Sequence, residues 1–285
     1  MTFRALVPAL LLGVPLSAAW GQDSVLLRFE PVFDIPVHRL FQSHTRLVLP
    51  GAAGNTAVQT RETVDMGGFV QVALSGPSGD PVVHLAFDSL RTRMRDGAEP
   101  WREFAWTGLD TLWVQAWPGA DLTIRRTEGD RSPAAAILVH LLAGMPDLTL
   151  PGRWVRPGER WLQMLDIPLS GVVARGAGPL PDESLLARTD VRVDSIVARP
   201  SDTLAYVSLG GVFEPQRSAV DPGVRYDGTV SGSLIWSTGW SGWVSGASRV
   251  VVRARLRGQR EGQMGEGEVT VRLESTTRYQ ARSSP

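Results

Sequence analysis

Valine and arginine alternate near the end of this chain, and that alternation constrains its fold more than any other feature. Val250, Val252, Ala254 and Leu256 share one parity, while Arg249, Arg253, Arg255 and Arg257 occupy the other. A period of two places these sets on opposite faces of an extended strand, one for a core and one for water. Val269, Val271 and Leu273 repeat the pattern against Thr270, Arg272 and Glu274. Between them lies Gly258 to Gly267, a glycine-rich polar stretch that reads as the loop of an antiparallel hairpin. Phe69–Leu74, Pro81–Ser89, Val191–Val197 and Leu204–Leu209 alternate in the same way, and the 30 glycines and 20 prolines punctuate the runs at turn-like spacing. The expectation is a mainly β fold with half-buried strands.

One segment departs from this period. Ser132 is a capping residue, Pro133 suits a first helical position, and Gly144 and Pro146 stop what lies between. The spacing predicts a helix over 132–146, with Ile137, Leu138, Leu141, Leu142 and Met145 on one stripe. The segments on either side share strings. Asp34-Ile35-Pro36-Val37 recurs as Asp166-Ile167-Pro168-Leu169, and Thr63-Val64-Asp65 corresponds to Arg192-Val193-Asp194. Val70–Gly76 then corresponds to Ala205–Gly211. These matches imply a first β half over 22–131 and a second over 147–285, joined by the helix. The resulting architecture is a curved antiparallel sheet or half-open barrel with one central helix.

The amino terminus carries an address. Arg4 supplies a positive charge, Ala5 to Val14 a short apolar core, and Ser17-Ala18-Ala19-Trp20-Gly21 small residues for cleavage. This is the layout of a signal peptide over 1–21, too short to remain as a membrane-spanning helix. After it, the longest apolar run, Ala134 to Met145, is again too short to span a bilayer and contains His140. The mature protein is expected to be periplasmic or secreted, with no transmembrane helix after cleavage.

Composition closes several routes to function. The formal net charge is zero, which offers nothing to nucleic acid. All 29 basic residues are arginine, so no lysine Schiff base forms. No cysteine is present, which excludes disulfides, thiol catalysis, thiolate metal sites and the acylated cysteine of a lipoprotein. Gly239-Trp240-Ser241-Gly242-Trp243 and Gly76-Pro77-Ser78-Gly79 are glycine-serine turns rather than the G-x-S-x-G loop of a serine hydrolase. His38, His44, His84 and His140 show no metal-ligand spacing, and no cofactor is implied. Tryptophan is the one enrichment with a functional use: Trp236, Trp240 and Trp243 cluster in a Gly/Ser-rich segment, where indole rings suit an apolar ligand. These three are the candidate ligand-binding residues. Trp101, Trp106, Trp113 and Trp117 form a second group.

Leu150-Pro151, Val155, Gly158 and Trp161 form an LP-x-x-x-V-x-x-G-x-x-W string directly after the expected helix. With the signal peptide and the long β segments, the string resembles uncharacterised exported bacterial β-rich proteins. In element order the chain also resembles the open-barrel carriers of lipids and lipoproteins (the LolA and LppX type). That resemblance implies a non-enzymatic protein binding a hydrophobic small molecule or an envelope protein. Two other readings stand beside it, an outer-membrane β-barrel and a hydrolase with an unrecognised site. N-terminal sequencing of the exported form should read from near Gln22; an abundant form that retains Met1 would contradict the address.

Overall fold

A computed structural model describes residues 23–49, 59–76, 80–106, 108–109, 111–130, 148–168, 184–217, 224–240, 242–260 and 263–281. The helix expected over 132–146 and the signal peptide lie outside these residues. The described residues are mainly β, and every ladder between the named strands is antiparallel.

The first half contributes β1 (Val25–Leu26), β2 (Pro36–Leu49), β3 (Gln59–Ser75), β4 (Pro81–Asp96), β5 (Arg102–Ala105), β6 (Trp113–Pro118) and β7 (Ile124–Gly129). The second contributes β8 (Trp154–Val155), β9 (Arg160–Pro168), β10 (Ser184–Arg199), β11 (Asp202–Arg217), β12 (Val224–Ser237), β13 (Gly242–Arg260) and β14 (Gln263–Ala281). Twelve of these form one sheet in the order β7-β6-β4-β3-β2-β14-β13-β12-β11-β10-β9, with β5 paired to β4 beside that path. Strands of both halves therefore join through β2 and β14, from Arg39–Ala281 to Val48–Arg272. Among the described residues the sheet does not close, and β7 and β9 are its edges.

The expected alternation sorts the two faces. Val250 and Val252 are buried while Arg249, Arg253 and Arg255 are exposed. Inward positions of neighbouring strands, among them Phe41, Phe69, Phe87, Val191, Leu209, Val230 and Leu234, form one apolar core. A two-stranded ribbon of β1 and β8 lies over this core, adding Val25, Leu27, Phe29, Leu148, Leu150 and Val155 to it. Backbone bonds anchor the ribbon toward both ends of the sheet. Phe29 N–H donates to Ala120 O (2.7 Å) and Leu150 N–H to Asp121 O (2.8 Å) at the β6–β7 turn. Gly158 N–H donates to Val193 O (2.7 Å), and Val193 N–H returns to Glu159 O (3.0 Å).

Two expectations need correction. The stretch Gly258–Gly267 is not a loop, because the ladder continues through Gly258–Gly267 to Arg260–Gln263, leaving only 261–262 between the strands. Glycine weakens a strand without forbidding one, and pairing in a long hairpin outweighs its propensity. The repeated strings also fall at unlike places. Thr63–Asp65 and Val70–Ser75 share the single strand β3, whereas Arg192–Asp194 lies in β10 and Ala205–Gly211 in β11. Asp34 precedes β2, but Asp166 lies near the end of β9. The strings therefore do not mark equivalent strand positions in the two halves.

Phe69 is fully buried, 6.3 Å from the Phe41 ring between centroids. Phe69→Ala is expected to cost about 3–5 kcal/mol in urea unfolding, and a loss under about 0.5 kcal/mol would contradict the core as described.

Candidate functional site

A trough of about 630 Å³ lies on the face away from the core. Leu40 and Gln42 (β2), Met66 (β3), Ser89 and Arg91 (β4), Ser233 and Ile235 (β12), and Ser245 and Ala247 (β13) line it. Register arranges them as one band. Gln42 faces Met66, which faces Arg91. Across β14, Ser245 and Leu40 both oppose residue 280, and Ser245 faces Ile235. The trough thus crosses the strands, spanning six of them from β4 to β12.

Two β-bulges lie in this band, between Gly68 and Phe69 in the β3–β4 ladder and between Ile235 and Trp236 in the β12–β13 ladder. A bulge bends its strand and raises the local twist, so the face is hollowed where the ladder is interrupted. Small residues deepen it. A side chain at Gly67 would collide with the Ser89 carbonyl oxygen and meet the Phe41 ring, so only glycine lets β3 and β4 approach here.

Away from the trough this face is charged and paired. Arg95 reaches Glu62 (2.6 Å), which also neighbours Arg46 (3.7 Å) and His44 (3.8 Å). Arg93 pairs with Glu103 (2.9 Å), and His38 Nδ1 lies 3.2 Å from Asp88 Oδ2. Against these ion pairs the trough is a largely apolar interruption. Among the described residues no three His, Cys, Asp or Glu side chains gather as a metal site would require.

The three expected tryptophans are placed differently from one another. Trp236 and Trp243 are buried in the core, edge to face, with centroids 5.1 Å apart. The bulge beside Trp236 brings both rings to the inner face. Arg39, itself buried, donates to the Trp243 carbonyl and to Gln71 Oε1 (2.9 Å). Only Trp240 lines a cavity, a smaller one of about 180 Å³ on the inner side, with Phe29, Pro31, Val32, Ile35 and Val37. The second tryptophan group serves local contacts. Trp101 lies under Arg95 (4.7 Å), Trp117 under Arg126 (4.8 Å), Trp113 stacks on His84, and Trp106 Nε1 donates to Thr92 (2.8 Å).

Sequence reasoning missed the trough. A signal for it exists in β12 and β13, whose outward residues Ser231, Ser233, Ser245 and Ala247 are small and uncharged while Arg249, Arg253 and Arg255 follow on the same face.

The turn carrying Trp240 is held by one carboxylate. Asp202, at the start of β11, accepts from Ser237 Oγ (2.6 Å), the Gly239 amide (2.8 Å) and Thr238 Oγ1 (3.2 Å). Ser237 Oγ in turn accepts the Trp240 amide (3.1 Å). Burial pushes the Asp202 carboxyl up, but the hydrogen bonds from Ser237, Gly239, Thr238 and the Thr203 amide outweigh it, and its pKa lies below the ordinary value.

No family model matches the chain, and no curated protein matches it. Among solved structures, the fold is similar to lipovitellin, in a structure concerned with lipid–protein interactions, at a TM-score of 0.50 and 11% identity. That match covers 90% of this chain and 25% of the other, so the chain spans a quarter of that protein's length. An outer membrane channel from Pseudomonas putida F1 aligns over 88% of this chain and 97% of its own, at 8% identity and a TM-score of 0.19. The second value is too low to carry an argument. The likeness to lipovitellin is one of fold.

Because Asp202 has a lowered pKa, its contribution to stability is present above the unfolded carboxylate value and is lost as pH falls through the folded one. Asp202→Asn should cost about 1–3 kcal/mol at neutral pH. That difference should shrink below about pH 4 in thermal melts followed against pH. A difference that persists unchanged through the acid range would contradict the role of the charge.

Proposed function

We propose that this is an exported, non-enzymatic protein that binds a hydrophobic ligand in the trough crossing β4 to β12. The observation that carries this reading is an open hollow of about 630 Å³ whose described lining is mostly apolar or small, bordered on β3 and β4 by cross-strand ion pairs. Its volume falls in the range of small-molecule sites, roughly 300–1,000 Å³. The likeness in fold to lipovitellin, whose structure concerns lipid, supports a lipid-like ligand. Trp240 belongs to a cavity of about 180 Å³, below that range, which favours the trough as the main seat.

Among the described residues β7 and β9 are edges, whereas an outer-membrane barrel needs every strand paired. No helix of the described residues is long and apolar enough to cross a membrane. Docking of an envelope protein is favoured by one separate observation. Leu162, Met164, Leu186 and Val212 are between 43% and 62% exposed on and beside the edge strand β9.

Ala247→Trp places an indole in the trough from an outward position and leaves the core untouched. Titration with the apolar fluorophore N-phenylnaphthylamine should show saturable binding to the native protein. The substitution should weaken it at least about tenfold with no change in melting temperature. Equal binding by both proteins would remove the trough as the site.

A further inference from the structure

The two edges of the sheet are guarded differently. β7 is a strand of 6 residues carrying Arg125, Arg126 and Glu128, and charges on a short edge discourage further pairing. β9 has 9 residues, and Arg160, Leu162, Met164 and Asp166 alternate along its outward face. All four are exposed, Leu162 at 62% and Met164 at 46%. Among the described residues no strand pairs with the far side of β9. The β10 ladder fixes which backbone groups are left over. Val193 N–H donates to Glu159 O (3.0 Å), one step beyond the Arg160–Arg192 pair. Antiparallel pairs alternate between bonded and non-bonded, so Trp161, Gln163 and Leu165 turn their N–H and C=O groups toward β10. Arg160, Leu162, Met164 and Asp166 turn theirs to the open edge. Gln163 stands at the centre of that span, and both polar atoms of its side-chain amide are buried without a hydrogen-bond partner. Thr189, opposite it on β10, commits its hydroxyl to Ala187 O (3.3 Å).

We propose that β9 pairs with β9 of a second copy of this chain, about a two-fold axis at Gln163, so that the sheet continues across a homodimer. Antiparallel self-pairing centred there sets Leu162 opposite Met164 of the partner subunit and Arg160 opposite Asp166 of the partner subunit. Each of these pairs exchanges two N–H···O bonds between groups that the β10 ladder leaves over. A register centred on Leu162 would set Arg160 against Met164, and one centred on Met164 would set Leu162 against Asp166. Centring on Gln163 matches charge with opposite charge and apolar with apolar, the pairings that stabilise neighbouring strands. Gln163 then meets its own copy in a non-bonded pair, with Cβ atoms about 4.5–5.5 Å apart, and each amide N–H donates to the other's oxygen. Arg160 also lies 3.5 Å from Asp190 on its own sheet, and its guanidinium has donors to spare for a second carboxylate. The inference is independent of ligand binding in the trough. It names a second copy, rather than an envelope protein, as the occupant of this edge.

Sedimentation velocity of the full protein, up to about 200 μM, should show a reversible monomer–dimer equilibrium with a Kd of about 1–50 μM, as fits a single ladder. Asp166→Arg and Arg160→Asp each set like charges opposite one another on both sides of the axis, and each should weaken the dimer at least about tenfold. Mixing the two variants restores both ion pairs and should return association to near its native strength as a heterodimer. The chain has no cysteine, so Gln163→Cys supplies a lone thiol. Its mild oxidation should give a disulfide-linked dimer, whereas Leu162→Cys, two positions out of register with its own copy, should not. A monomer at every concentration would overturn the proposal, as would a dimer that neither charge variant weakens or that mixing does not restore. If a charge variant loses the native melting temperature, the cysteine pair decides, and cross-linking through position 162 but not 163 would overturn the register.

Discussion

The architecture depends on β14 being hydrogen-bonded along both of its edges. It pairs with β13 from Arg260–Gln263 to Ser245–Gln280, and with β2 from Val48–Arg272 to Arg39–Ala281. Buried backbone groups need partners, and over Arg272–Ala281, where β14 lies between two strands, the ladders supply them on both edges. Through β14 the two ends of the chain meet in the middle of one sheet. The core behind that sheet is correspondingly shared, with Phe41 and Phe69 of one segment in the same cluster as Trp236 and Val250 of the other. The trough depends on the same junction, since Leu40 and Ser245 line one hollow only because β14 holds their strands in register.

The faces of this sheet divide the work. The inner face is apolar and covered by the ribbon of β1 and β8, so its stability comes from area removed from water. The outer face is solvated, and its arginines and carboxylates meet across strands in pairs that contribute little individually but keep the face soluble. Beside these pairs the described lining of the trough is Leu, Met, Ile, Ala, Ser and Gly with Gln42 and Arg91, and its outward apolar side chains add nothing to the core. The fold likeness to lipovitellin agrees with a sheet of this kind, while the residues lining the trough are this chain's own.

The sheet itself was legible in the sequence because strand parity is a local property. Arg249, Val250, Val252 and Arg253 declare their faces without reference to any other segment. The ends of strands were less legible, since Gly258 and Gly267 read as loop when judged by propensity and as strand once their partners are known. The places of the tryptophans were also hard to read. Glycine and serine around Trp236 and Trp243 suggested rings not needed for packing, yet those small residues occupy strand positions whose intervening partners face the core. The trough was out of reach for a different reason. Gln42 and Ala247 lie far apart in the chain, and no local pattern records that both oppose residue 278 of β14.

Photolabelling tests the central claim directly, because it asks where an acyl chain rests rather than whether it binds. A dodecanoate carrying a diazirine near its terminal methyl, irradiated on the native protein and mapped by peptide mass spectrometry, should label the outward face around Leu40, Ile235 and Ala247. Label concentrated at Val32, Ile35 and Trp240 on the inner side would contradict the account, placing the ligand in the smaller cavity instead of the trough.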